Sequence, residues 1–186
     1  MNISEEIAKR ASDIEMRIHR FLPEQYEYQK MIVDAMSYSV LAGGKRLRPM
    51  LMEAAYQMFD GTGEDIDSFM AAIEMIHTYS LVHDDLPAMD NDMYRRGKKT
   101  THAVYGEAMG ILAGDALLNY AFEMIANAMM HSDVDMRMIK AFSVLSKKSG
   151  IYGMIGGQNA DIEAEEQTDP LTTEQILFIH ANKTAA

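Results

Sequence analysis

Hydrophobic and polar positions alternate with a helical period along almost the whole chain. Ile7, Ala11, Ile14, Ile18 and Phe21 follow steps of four and three, the stripe of an amphipathic helix. Asn2, with Glu5 three residues on, is placed to cap it, and Pro23 lies just beyond its end. Tyr28, Met31, Ile32, Ala35 and Met36 mark a second helix, which stops at Gly43-Gly44. A third opens with Pro49 near its first turn and ends at Asp60-Gly61-Thr62-Gly63. A fourth, long helix covers about Asp65 to Asp85, and the charged stretch from Leu86 to Thr101, with Pro87 and Gly97, reads as a loop.

Glu107–Met130 is apolar enough to raise the question of a membrane span. Asp115, Asn119, Glu123 and Asn127 recur there every fourth residue, and that polar stripe favours a buried helix of a soluble bundle. A sixth helix is expected from about Asp133 to Ser149 and a glycine-bearing one around Ile151–Glu163. Glu165–Pro170 reads as a surface loop, and Thr172 with Gln175 forms a capping box for a last helix. No segment alternates with β-branched enrichment, so the fold class is all-α, and no boundary divides residues 1–186 into domains.

Composition narrows the chemistry. Zero cysteines among 186 residues exclude a disulfide scaffold, a zinc-thiolate site and a cysteine nucleophile. The formal charge of −11 argues against nucleic acid or an anionic membrane as the main partner. The N-terminus carries charges where a signal peptide needs an apolar run, so a soluble, cytoplasmic protein is expected. The 18 methionines suit an irregular core, or the wall of a lipid-binding tunnel.

The distribution of charge says more than its sum. Lys45, Arg46 and Arg48, then Arg95, Arg96, Lys98 and Lys99, gather seven of the 17 cations, and Asp84, Asp85, Asp90 and Asp92 precede the second group. Either these are solvated charge runs or they build a site for a metal-complexed anion. On a regular helix Asp84 and Asp90 would differ by ~240° and face apart. Pro87 disfavours regular helix just before it, so a distorted turn can swing Asp90 back over Asp84. Carboxylates are hard ligands suited to Mg²⁺, which takes one or two of them plus phosphate oxygens and water. His77 is seven residues before Asp84 and shares its face, as a structural histidine or as part of the same cleft. Tyr79 and Ser80 lie about one turn below Asp84. In Gly43-Gly44-Lys45-Arg46-Leu47-Arg48-Pro49 the glycines free the backbone, and Lys45 and Arg48 can point the same way towards phosphate oxygens. The segment lacks the spacing and the preceding strand of a P-loop.

GGKRLRP, HTYSLVHDDLPAMDNDMYRRGKKTTHAVYGE, GDALLNYAFE, GGQNADI and HANKT, in that order, resemble the trans-polyprenyl diphosphate synthases, nearest the bacterial farnesyl-producing branch. The resemblance covers essentially the whole chain. It implies a bundle of long helices around a deep central cavity, usually a homodimer, that joins an allylic diphosphate to isopentenyl diphosphate. By position in the motifs, it implies that Asp84 and Asp90, with Asp85 alongside, hold Mg²⁺ on the allylic diphosphate. Lys45, Arg48, His77 and Arg96 are then isopentenyl diphosphate ligands. Arg95, Lys183 and Thr184 hold the allylic diphosphate, supported by Gln158 and Asp161. In the same family an aromatic residue five positions before the acidic motif shortens the tunnel. Tyr79 stands there, with Ser80 beside it and the two-residue expansion containing Pro87, which points to a farnesyl product.

The family's second aspartate-rich motif is expected beyond the Lys183-Thr184 pair, and the chain ends at Ala186. The expectation is therefore an incomplete domain, an N-terminal part with little synthase activity of its own. Two other classes stay open on the residues alone. One is an all-α His-Asp metal phosphohydrolase, built on His83-Asp84 with His77 and Asp115. The other is a non-catalytic prenyl-synthase-like subunit. A geranylgeranyl product is the alternative within the family.

Overall fold

The structure is a computed structural model and describes residues 2–25, 27–131, 134 and 136–185. The chain forms two compact units, residues 1–131 and 132–186. In the first, the described elements are helices α1 (Ile3–His19), α2 (Lys30–Val40), α3 (Leu47–Met58) and α4 (Asp65–Asp84), strands β1 (Tyr94–Arg95) and β2 (Lys98–Lys99), then α5 (Thr101–Tyr105) and α6 (Glu107–Met130). The second contains α7 (Met136–Ser149), α8 (Met154–Glu165) and α9 (Thr173–Ile179), which continues as a π-helical turn, His180–Thr184. Helix dominates, as the periodicity predicts.

Helix α4 is the axis of the first unit because it is buried nearly all round. Met70, Ala71, Ala72, Met75, Ile76, Tyr79 and Val82 are buried on it, and α6 packs along it through Gly110, Ala113, Gly114, Leu117 and Ala121. Small residues let the two backbones approach: a Cβ on Gly114 would run into the imidazole of His83. One on Gly110 would sit 3.0 Å from Leu86 Cδ2. Helix α6 is long and apolar enough to cross a membrane. The expectation of a buried helix holds for one face only. The Asp115, Asn119, Glu123, Asn127 stripe is exposed, and so are Ile111 and Leu112.

The two stripe residues at the heart of α1, Ile14 and Ile18, are each 1% exposed. Its cap is Asn2, whose side chain accepts from the Ser4 N–H at 3.1 Å. Arg17 ties three helices, donating through Nε to Asp67 of α4 at 3.0 Å and pairing with Glu53 of α3. In the second unit the Thr172/Gln175 capping box is formed, with Thr172 N donating to Gln175 Oε1 at 2.8 Å. Helix α7 is described from Met136, and the expected start at Asp133 lies outside the described residues. Methionine is core filler at Met36, Met70, Met75 and Met124, whereas Met16, Met31, Met58, Met93, Met130 and Met136 are at least half exposed.

The stretch read as a loop holds the one β-ribbon among the described residues, with Tyr94 opposite Lys99 and Arg95 opposite Lys98. Its two-residue turn, Arg96-Gly97, has φ of 54° and 78°, both positive, as the tight hairpin turns that match strand twist require. For Arg96 that conformation costs roughly 1–2 kcal/mol.

Candidate active site

Helix α4 ends at Asp84, and the chain beyond Pro87 folds back on that end. The Asp90 N–H donates to the Asp84 carbonyl at 2.9 Å, and the Asp92 N–H to the Asp85 carbonyl at 3.1 Å. The turn is closed by Met89 and Asn91 N–H groups donating to the Leu86 carbonyl at 2.8 and 3.1 Å. Two aspartates that a regular helix would hold apart are thus brought to one end of α4, and the proline-distorted turn predicted from the sequence is what does it. Asp84 is half-buried and Asp90 exposed.

Asp85 goes elsewhere. Its side chain is 5% exposed and takes a two-pronged contact from Arg95, Nε and Nη2 each lying 2.7 Å from Oδ1. Burial pushes the Asp85 carboxyl above its usual range, opposed by Arg95, while the carboxylate raises Arg95 in turn. Two residues expected to act on different ligands, a metal and a diphosphate, here hold each other. The hairpin that carries Arg95 is pinned from several sides. Thr100 Oγ1 donates to the Asp92 carbonyl at 2.7 Å and His102 Nε2 to the same oxygen at 2.9 Å. From α2, Tyr38 donates to the Lys99 carbonyl at 2.7 Å, and Ser39 bonds Thr101 at 2.7 Å. These supporting residues lie in quoted motifs or beside them, yet nothing in their local pattern singles them out.

The two basic groups, some fifty residues apart in sequence, meet. Arg96 donates to the Gly43 carbonyl, and a Cβ on Gly44 (φ 157°) would collide with the Arg96 guanidinium. Gly43 has φ of 91°, a value that glycine alone adopts without strain. His77, Asp85, Arg95 and Arg96 line one open cleft with Gly43 and Lys99. Lys45, Arg48 and Arg96 are exposed beside it. Burial and the nearby Arg48, Arg96, Arg46 and Arg95 push His77 down to about 4, so it is a neutral imidazole at neutral pH. The uncharged ring therefore lies close to four guanidinium groups, two of which, Arg46 and Arg95, are paired with carboxylates.

Arg46 behaves unlike its neighbours. Its side chain is 1% exposed; Nη1 donates to Glu74 at 2.7 Å, and Nη2 donates to the Val40 carbonyl at 2.7 Å. Its Nε is a buried donor with no partner, a loss of roughly 1–3 kcal/mol. Of the seven clustered cations, Arg46 alone is buried; it and Glu74 lie in the wall of the same cleft.

Tyr79 is 6% exposed and meets His83 edge to face, ring centroids 5.8 Å apart at 88°. Burial, with Asp84 nearby, pushes its hydroxyl up to about 12. His83 in turn bonds the Ile111 carbonyl at 3.0 Å. Ser80 Oγ donates to the His77 carbonyl at 2.8 Å within its own helix. His83 and Asp115 are 3.8 Å apart, but among the described residues no three histidine or acidic side chains converge on a metal-sized point. In the second unit, Lys183 pairs with Asp161. Gly157 lies so close to the π-helical turn that a Cβ there would be 2.7 Å from Asn182 C and 2.8 Å from Lys183 Cα. The glycine of the GGQNADI motif is what lets Lys183 sit against α8. Gln158, half-buried next to it, and the exposed Thr184 complete the predicted residues.

The family model for polyprenyl synthetase matches residues 29–186, and the chain belongs to that family. It is 48% identical over 155 residues to a geranylgeranyl diphosphate synthase of Cyanophora paradoxa, covering 83% of this chain and 51% of the relative. It is 45% identical over 163 residues to a farnesyl diphosphate synthase of Micrococcus luteus, covering 88% and 54%. Its fold superposes on a crystal structure of an FPP/GFPP synthase from Zymomonas mobilis with a TM-score of 0.89 at 38% identity, over 97% of this chain and 65% of that one. The chain spans about half the length of the curated relatives it matches. Family membership displaces the His-Asp phosphohydrolase reading.

Proposed function

We propose that the protein is a prenyltransferase that condenses isopentenyl diphosphate with dimethylallyl or geranyl diphosphate, with farnesyl diphosphate as the product. The observation that carries this reading is the turn in which the Asp90 N–H donates to the Asp84 carbonyl, because it brings the two residues to the end of α4 next to Asp85, which lines the cationic cleft. Two carboxylate residues held in one turn fit Mg²⁺, which takes one or two such hard oxygen donors and keeps its other positions for diphosphate oxygens and water. Asp84 and Asp90 would hold it, and it would supply charge neutralisation on the leaving diphosphate. Asp85, held by Arg95, is better suited to orienting that guanidinium than to ligating metal directly.

Cleavage of the allylic C–O bond leaves a delocalised cation and releases pyrophosphate with growing negative charge. Arg95, held in place by Asp85, would meet that charge where it develops, the kind of preorganised stabilisation that is often the largest catalytic contribution. Lys183, Thr184 and Gln158 are assigned to the same diphosphate on the motif resemblance. The isopentenyl diphosphate would be bound by Lys45, Arg48, Arg96 and neutral His77. Its double bond attacks the allylic carbon, a new C–C bond forms, and a proton is lost to the departing pyrophosphate. Water must be excluded, or the cation becomes an alcohol.

Farnesyl rather than geranylgeranyl diphosphate is favoured by the bulk of Tyr79, buried about one turn before Asp84. The relatives include synthases of both products. Calorimetric titration with geranyl diphosphate tests the metal and ligand assignment. Binding is expected only with Mg²⁺ present and is expected to be lost in Asp84→Asn and in Asp90→Asn. Binding of equal strength without metal, or in both variants, contradicts it.

A further inference from the structure

The buried Arg46 sits in the middle of a motif whose other cations are exposed, and its surroundings assign it a task. Its guanidinium reaches three helices: the Val40 carbonyl at the end of α2, Glu74 of α4, and Glu15 of α1 at 3.3 Å. Its backbone has φ of 49°, left-handed, and its carbonyl accepts the Met50 N–H at 3.1 Å to begin α3. The side chain makes no cap bond of its own to that helix. Arg46 is thus the point at which the glycine turn is locked and redirected, with Lys45 immediately before it and Arg48 in the first turn after it.

A contribution to stability is a poor account of this arrangement. Buried ion pairs are commonly no more stable than well-packed apolar residues of similar volume, and this one leaves Nε without a partner. What the pair does supply is direction. A left-handed arginine at a helix entry persists only where its surroundings over-determine it. Here the Glu74 carboxylate, 4% exposed and anchored on the rigid central helix, does so. Glu74 lies three residues before His77 on α4, so the same stretch of helix fixes the turn and the imidazole.

We infer that Arg46 and Glu74 are positioning residues for the isopentenyl diphosphate site: their buried pair aims Lys45 and Arg48 at the diphosphate without touching it. The inference rests on the proposed assignment of Lys45 and Arg48, and its test separates the two. Isopentenyl diphosphate is titrated without metal into wild type, Lys45→Ala and the apolar double variant Arg46→Met/Glu74→Leu. Geranyl diphosphate with Mg²⁺ is titrated in parallel, and cooperative thermal unfolding is checked for each protein.

Both variants are expected to lose about ten- to hundredfold in isopentenyl diphosphate affinity, the scale of an ångström-sized misplacement. The double variant is expected to keep its geranyl diphosphate affinity and unfold cooperatively. If Lys45→Ala weakens binding and the double variant binds like wild type, the positioning role is overturned and the site assignment stands. Equal loss of both ligands in the double variant means general damage and also overturns it. If wild type does not bind isopentenyl diphosphate, or Lys45→Ala binds unchanged, the site assignment falls and takes the positioning role with it.

Discussion

Replacing Tyr79 by alanine separates two roles that one buried ring can have. The side chain is 6% exposed and its ring packs edge to face on His83. Truncating a buried aromatic to alanine costs about 3–5 kcal/mol, the aromatic contact included. We take about 3 kcal/mol here, because His83 is itself part-exposed and can relax into the space. For a chain of this size that lowers Tm by roughly 6–12 °C. The functional consequence is of a different kind. Tyr79 lies five residues, about 7.5 Å along the helix, before Asp84. On the proposed reading, a prenyl tail running back along α4 from a diphosphate at Asp84 would meet this ring. Removing it opens room for up to one more isoprene unit, whose five carbons are worth at most about 4 kcal/mol at ~0.8 kcal/mol per buried CH₂. Enclosure is partial, so the affinity for geranylgeranyl diphosphate relative to farnesyl diphosphate should rise by about tenfold or more. Calorimetry with both ligands and Mg²⁺ reads this ratio, and chromatography of products from an active synthase containing this sequence reads the shift to longer chains. Tyr79→Phe should change neither. A Tyr79→Ala protein that loses Tm yet keeps the wild-type ratio and products would show that the ring is core filler only, and the chain-length reasoning would fall.

Two further predictions concern packing and protons. Gly157→Ala gains about 1 kcal/mol of helix propensity but forces a Cβ against the backbone at Asn182 and Lys183, which cannot swing aside. With roughly 1–3 kcal/mol of overpacking against that gain, a lower Tm and weaker geranyl diphosphate binding are expected, and a higher Tm would refute the contact. His77 stands at about 4 in the folded protein against an ordinary 6.5, so between those values the unfolded chain binds a proton that the folded one refuses. Stability should therefore fall as pH drops from 6.5 towards 4, by up to about 3 kcal/mol, and level off above 6.5. Urea titrations across that range should show His77→Gln with a flatter profile, and an unchanged slope would remove His77 as the cause.

What the sequence displayed and what it concealed follows from the range of the interactions. The α1 stripe, the Asn2 cap and the Thr172/Gln175 box are local patterns, and each formed. The return of Asp90 to Asp84 was also legible, because Pro87 acts on its immediate neighbours. Arg46 was not, since a buried cation and an exposed one have the same side chain, and only its partners on α1, α2 and α4 distinguish them. The Asp85–Arg95 pair escaped for the same reason, and it changes what Asp85 can do. The hairpin turn at Arg96-Gly97 lacks the usual Asn-Gly signal, as its first residue is one whose guanidinium is needed at Gly43. The methionine count was misleading, because flexible apolar side chains suit a core and an uncovered surface alike.

The central claim is that two diphosphates bind side by side, one through metal held by Asp84 and Asp90 and the other through cations around His77. Titrating isopentenyl diphosphate into protein already saturated with Mg²⁺ and a non-reactive thiolo analogue of geranyl diphosphate tests it most directly. Independent binding, with one isopentenyl diphosphate taken up per chain and the analogue retained, is the predicted result. Displacement of one ligand by the other would show a single shared site and contradict the account.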